Sequence, residues 1–245
     1  MTRQAQRGVT LLELLIAVTL LSLLVAGVLT AMRVGITALQ RTNQRVIANR
    51  RAVGAQHILE QQMAAFIPAS ADCSAAGGPP PYQRVGFFQG ELQTMRMVSA
   101  YSLANASRGI PQVLEFQVIP GENGVGVRLV VNEHPYTGGF ATGRFCVGVM
   151  FDPASGMSLP RFIPVETGPR SFVIADKLAS ARFLYREAML EPPYERWVPR
   201  WVLQSWPTAI RIEMFPLNPD PAKILPSTLT IPVFVNRVPL GQYGD

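Results

Sequence analysis

From Val9 to Met32 the chain is a nearly unbroken apolar run, VTLLELLIAVTLLSLLVAGVLTAM, with Glu13 as its single charge. No polar residues alternate through it, so it reads as a helix that is hydrophobic all round. A helix over residues 9–32 rises about 36 Å, against about 30 Å of bilayer hydrocarbon. From Arg33 to Ile67 there is no proline, and Leu39, Val46 and Val53 recur every seven residues. Ile58, Leu59, Met63 and Phe66 extend a similar stripe, and Gln and Arg lie between the stripe positions over 39–66 as a whole. This predicts an amphipathic continuation of the helix over 33–67, weakened at Gly35 and Gly54. Its C-terminal part is expected to pack on the protein's own body.

At Pro68 the pattern changes. Residues 68–83 (PASADCSAAGGPPPYQ) read as a linker of small residues and proline. Short apolar or alternating runs bounded by turn residues follow in a body spanning 84–245. The expected strands are Val85–Gln89, Leu92–Ser99, Val113–Ile119, Val125–Asn132, Arg144–Met150, Phe172–Ala175, Ala179–Arg186, Trp197–Gln204, Thr208–Phe215 and Thr228–Val235. Leu114, Phe116 and Val118 should share one face; Ala181, Phe183 and Tyr185 should oppose Arg182, Leu184 and Arg186. The fold class is therefore α+β: a long N-terminal helix, then a mostly antiparallel sheet.

Composition sharpens the division at Pro68. All 21 prolines lie at or beyond it, and among the aromatic residues only Phe66 precedes it. With 48% hydrophobic and 16% charged residues the chain is not a disordered one. Of the net charge of +6, residues 1–67 carry +5: seven arginines (Arg3, Arg7, Arg33, Arg41, Arg45, Arg50, Arg51) less Glu13 and Glu60. No acid lies between Glu13 and Glu60. A basic stretch of this kind suits nucleic acid, but no aromatic residues interleave with it, so no nucleic-acid partner is expected. A solvated or subunit-facing helix flank is the alternative. Arg33 and Arg41 follow the apolar run while Arg3 and Arg7 precede it, so the positive-inside bias does not orient the span cleanly.

Glu13 is the informative position. A carboxylate near the centre of a bilayer costs at least about 2.5–3.5 kcal/mol, less near the interface, so it implies a partner or an interfacial location. An ordinary secretory signal fits poorly: the apolar run is longer than a signal's, and no A-x-A site follows it. Cleavage between Gly8 and Val9 would leave a new α-amine four residues from Glu13, able to compensate the carboxylate within one chain or between chains. An interfacial Glu13 solvated by headgroups is the other reading.

After a short basic leader (residues 1–8), G8-V-T-L-L-E13-L-L-I-A17 resembles the type IV prepilin processing motif: a Gly, an apolar mature N-terminus, and Glu as the fifth mature residue. Val9 stands where that motif usually has Phe. The resemblance implies cleavage after Gly8 by a prepilin peptidase and N-methylation of Val9. It also implies that Glu13 neutralises the N-terminal amine of a neighbouring subunit in a filament.

The body offers little chemistry. His57 and His134 are the two histidines. His134 follows Glu133 at what reads as a strand end, with no nucleophile tied to it by spacing. G121-E-N-G-V-G126 reads as a hairpin turn, not a phosphate loop. The aspartates are dispersed, without calcium-loop spacing. Trp197, Trp201 and Trp206 are expected in the core or at a partner contact. No catalytic, metal-binding or cofactor-binding residue is assigned, and no enzyme activity is expected. Cys73 and Cys146 would lie in a disulfide-permissive compartment; a bond between them and two free thiols are both open.

A second resemblance covers Leu178 to Pro216. LASARFLYRE, then W197-V-P-R-W201, then W206-P-T-A-I-R-I-E-M-F-P216 look like the C-terminal pattern of J-type minor pseudopilins of type II secretion. The insert Glu191-Pro-Pro-Tyr194 and the pair Trp206-Pro207 depart from it. The resemblance implies a single-pass inner-membrane protein with a periplasmic head, placed near the tip of a short filament. Its implied partners are I-, K- and H-type minor pseudopilins, the major pseudopilin and the inner-membrane assembly platform. Its implied role is to initiate the filament and help export folded proteins. A minor type IV pilin, a membrane-anchored periplasmic enzyme and a secreted binding protein are the alternatives.

Overall fold

The computed structural model describes residues 10–74, 82–169, 171–218 and 228–234. Helix α1 runs Leu11–Ala64. It opens on a capping arrangement, with the Glu13 backbone N–H donating to Thr10 Oγ1 at 3.3 Å. The chain separates into two compact units, Met1–Ala48 and Asn49–Asp245. In the first, every described side chain from Thr10 to Ile47 is exposed. In the second, Ala55, Leu59, Gln62 and Met63 of α1 are buried. Of the continuation over 33–67, the C-terminal part is amphipathic within the second unit, while Leu39, Val46 and Val53 are exposed. The helix also ends three residues before Ile67. Phe66–Ile67 instead forms β1, pairing Phe66 with Ser99 and Ile67 with Val98. The Ala100 N–H donates to the Ala65 carbonyl at 2.8 Å, which turns the chain from helix into sheet.

The head is built on one antiparallel sheet. Its main strands are β5 (Thr94–Ser102), β6 (Ser107–Pro120), β7 (Val127–Pro135), β10 (Phe172–Ala188), β12 (Ala209–Pro216) and β13 (Leu229–Pro232), in the order β1-β5-β6-β7-β10-β12-β13. Two short strands pair outside this order: β4 (Gln89–Gly90) with β5 and β11 (Glu195–Val198) with β10. Two separate hairpins complete the head, β2 (Ser70–Ser74) with β3 (Tyr82–Gly86) and β8 (Cys146–Asp152) with β9 (Met157–Phe162). A short helix α2 (Gly139–Gly143) precedes β8. The architecture is α+β and pilin-like: the hydrophobic pattern leads one to expect the α+β class, and the resemblance to the prepilin motif implies the pilin-like form.

Alternation sends the two faces of the sheet to different partners. Met95, Met97, Leu114, Phe116, Leu129, Val131, Phe183 and Tyr185 are buried with Leu59 and Met63 of α1. Burying each of those two helix side chains contributes about 1.5–3 kcal/mol. On the opposite face Val98 and Val113 pack with Ala71, Cys73, Phe87 and Phe145. Leu114, Phe116 and Val118 do share a face, and Ala181, Phe183 and Tyr185 point inward.

Several boundaries differ from the sequence reading. The stretch 68–83, read as a linker, contains most of a strand pair: Ala71 and Cys73 are buried, because small residues let β2 lie close against Phe87 and Phe145; residues 75–81 are outside the described set. The strand expected at Val85–Gln89 ends at Gly86. The two strands expected on either side of Asp176 are one, β10, whose register shifts between Ala175 and Leu178 at Lys177, φ 55°. The strand expected at Trp197–Gln204 stops at Val198, where Pro199 removes a donor. Strand β9 has no counterpart among the expected strands.

Gly90 shows how tight the junction is. A Cβ there would lie 2.8 Å from Trp201 Cβ and 2.9 Å from Tyr185 Cζ. Gly90→Ala should therefore destabilise the head by about 1–3 kcal/mol. Urea unfolding followed by tryptophan fluorescence measures this; an unchanged midpoint would show that the contact is slack.

Candidate functional site

The apolar helix segment is the first candidate. Leu11 to Met32 rises about 33 Å, long enough to cross a bilayer. Its large apolar side chains are exposed on all sides, from Leu11 at 84% to Met32 at 62%. Such a surface must be covered by lipid or by other apolar helices. The segment's hydroxyls are already satisfied: Thr19 donates to the Ile16 carbonyl at 2.9 Å, Ser22 to Val18 at 2.7 Å and Thr30 to Ala26 at 2.7 Å. Back-bonding of this kind removes their cost in hydrocarbon.

Glu13 is different. Its backbone N–H is used in the helix start, yet its carboxylate has no hydrogen bond or ion pair among the described residues. It sits in the first helical turn, where the dipole favours negative charge. The spacing T10-x-x-E13 is a capping-box signature, a signal in the sequence for where the helix starts. The motif positions Gly8 and Val9 lie outside the described residues. Arg33, Arg41, Arg45, Arg50 and Arg51 follow on the helix and form no ion pair among the described residues.

In the head, Glu133 and His134 are both absorbed by structure. The Glu133 carboxylate accepts hydrogen bonds from Ser102 Oγ at 3.0 Å, from the backbone N–H groups of Leu103 and Ala104, and from Gln62 Nε2 at 3.4 Å. It thereby caps the turn after β5 and ties it to the end of α1. His134 Nε2 lies 2.9 Å from Glu115 Oε2. Glu115 also accepts from Arg96 Nε at 2.6 Å and Asn132 Nδ2 at 3.3 Å. Arg96, Glu115 and Asn132 stand directly across from one another on β5, β6 and β7. Phe145 and Phe162 cover the guanidinium, at 5.7 and 5.9 Å from ring centre to Cζ.

Cys73 and Cys146 are joined in a disulfide that binds β2 to the start of β8, with the two Cα atoms 5.5 Å apart. G121-E-N-G-V-G126 is the β6–β7 hairpin loop; Asn123, Gly124 and Gly126 take positive φ, which asparagine and glycine accept at least cost. Trp201 and Trp206 belong to the core, while Trp197 lies under Arg211, whose Cζ is 3.9 Å from the ring centre. Among the described residues no three His, Cys, Asp or Glu side chains converge as a metal site would require.

The sequence matches a family model described as the prokaryotic N-terminal methylation motif over residues 3–29. No curated protein matches the chain. The match takes in Gly8, Val9, Glu13 and most of the exposed apolar segment. The chain carries a prokaryotic N-terminal methylation motif at the head of an apolar helix that fits a single-pass membrane anchor, and this supports a pilin-like or pseudopilin protein.

Proposed function

We propose that this chain is a minor pseudopilin of type II secretion, of the J type, which assembles near the tip of a periplasmic filament and helps to start it. One observation carries the reading: a carboxylate five residues past Gly8, with no hydrogen bond or ion pair among the described residues, on a helix whose apolar side chains are exposed. The helix waits in the bilayer and then exchanges lipid for the apolar helices of other subunits. Cleavage between Gly8 and Val9 frees the amine that Glu13 pairs with, and the attraction grows as water is excluded. The sequence order resembling J-type subunits runs through β10, β11 and β12, which supports the finer assignment. The role is structural: Glu133 and His134, the nearest to a catalytic pair, have their hydrogen bonds committed to holding the head.

Processing and assembly can be separated. Gly8→Ala should block maturation fully, leaving a precursor eight residues longer in the membrane; mass spectrometry of the variant starting at Val9 would refute the assignment. Glu13→Ala should be cleaved normally but enter filaments at least about tenfold less well, the scale of one charge-assisted contact. Wild-type secretion from that variant would remove the charge pair from the account. Co-purification with I-, K- and H-type subunits supports the secretion role, whereas capture of pilus subunits instead identifies a minor type IV pilin.

A further inference from the structure

Beyond filament assembly, the head has a cleft of about 380 Å³ whose walls are strand edges. Gln83–Gly86 of β3 and Ser158–Phe162 of β9 line it as consecutive residues. A strand face contributes alternate residues, so consecutive ones mean that each strand presents its edge. Among the described residues β3 pairs with β2 alone and β9 with β8 alone, which leaves one edge of each open. Pro160 interrupts the β9 edge, but β3 contains no proline. Phe88, Trp201 and Trp206 floor the cleft.

The charges in the cleft are unequal in their commitments. Its cations are Arg84, Arg161 and Arg200, and its anions are Glu91 and Asp152. Arg84 pairs with Asp72 at 3.0 Å and Arg200 with Asp152 at 3.4 Å. Glu91 accepts from Gln89 at 2.9 Å. Arg161 has no carboxylate partner among the described residues; its bond is to the Met150 sulfur at 3.5 Å. The β3 edge is also held in place beforehand. Its partner β2 is tied to β8 by the Cys73–Cys146 disulfide, and Thr142 Oγ1 donates to the Ser70 carbonyl at 2.7 Å. Binding to a fixed edge avoids the cost of ordering it.

We infer that this cleft binds an extended segment of another protein, which adds as a strand to the open edge of β3 and places an acidic side chain against Arg161. Main-chain pairing supplies affinity and the arginine supplies selection. The site is separate from the apolar helix, so it stands or falls independently of the filament reading.

The test uses the full chain in detergent micelles and two capped heptapeptides of alternating valine and threonine, one with a central glutamate and one with a central lysine. The glutamate peptide should bind about tenfold more tightly than the lysine peptide. It should slow hydrogen exchange of the amides within Gln83–Gly86. Arg161→Gln, at an exposed position, should abolish the discrimination. Methylating alternate backbone nitrogens of the glutamate peptide should abolish binding, a result that requires no variant to fold. Equal binding of both peptides, protection confined to other segments, full binding of the methylated peptide, or no binding up to about 1 mM would each overturn the inference.

Discussion

Glu115→Ala should lower the stability of the head by about 3–5 kcal/mol, the cost of stranding one member of a buried ion pair. Arg96 is fully buried and Glu115 is 4% exposed. Without the carboxylate, Gln89 Oε1, at 2.5 Å from Nη1, is the one hydrogen-bond acceptor left to the Arg96 side chain among the described residues, where its Nη2 already has no partner. His134 and Asn132 lose a shared acceptor as well. Replacing both charges, as in Arg96→Leu with Glu115→Ala, should restore much of the loss, because no charge is then left in an apolar site. All three tryptophans lie in the head, so urea unfolding followed by fluorescence reads it selectively. A loss below about 1 kcal/mol would mean that water reaches the pair. The same group sets an acid limit. Burial pushes the Glu115 carboxyl up, but hydrogen bonds from His134, Arg96 and Asn132 and the Arg96 charge outweigh it, and its pKa falls below the ordinary 4.5. A depressed carboxylate stabilises the fold above the unfolded value and loses that contribution as pH falls through the folded one. The head should therefore weaken below about pH 4.5, and Glu115→Gln should flatten that slope.

Cys146→Ser should cost about 4 kcal/mol, from opening a loop that spans a sequence separation of 73. Both cysteines are nearly inaccessible, at 1% and 6% exposed, so reductant should act only as the head opens. The loss should fall locally on the β2–β3 hairpin, which the sulfur bridge and Thr142 attach to the rest of the head. Hydrogen exchange should then accelerate in Ser70–Ser74 and Tyr82–Gly86 before the main sheet responds. Equal stability of the oxidised wild type and the serine variant would show that packing of Ala71 and Phe87 suffices.

The apolar span, its embedded carboxylate and the alternating strands of the head are all legible in residue order. Each depends on local periodicity: an uninterrupted run needs no neighbours to be recognised, and Leu114-x-Phe116-x-Val118 shows its face unaided. Strand ends are less legible, because the bulge at Lys177 carries β10 through a stretch whose residue types read as a break. The segment 68–83 misled through composition. Alanine and serine suit a loose linker, but they also suit a strand pressed closely against aromatic rings.

By itself the sequence determined that this protein has an N-terminal apolar helix segment with one acidic residue, of a kind that fits a single-pass anchor, and a β-rich head, since both follow from the spacing of apolar positions. The tertiary structure alone decided that Arg96, Glu115 and Asn132 form a row, that His134 serves Glu115, and that β3 and β9 share a cleft. Those groups are distant in the chain, and only strand register and the packing of the hairpins bring them together.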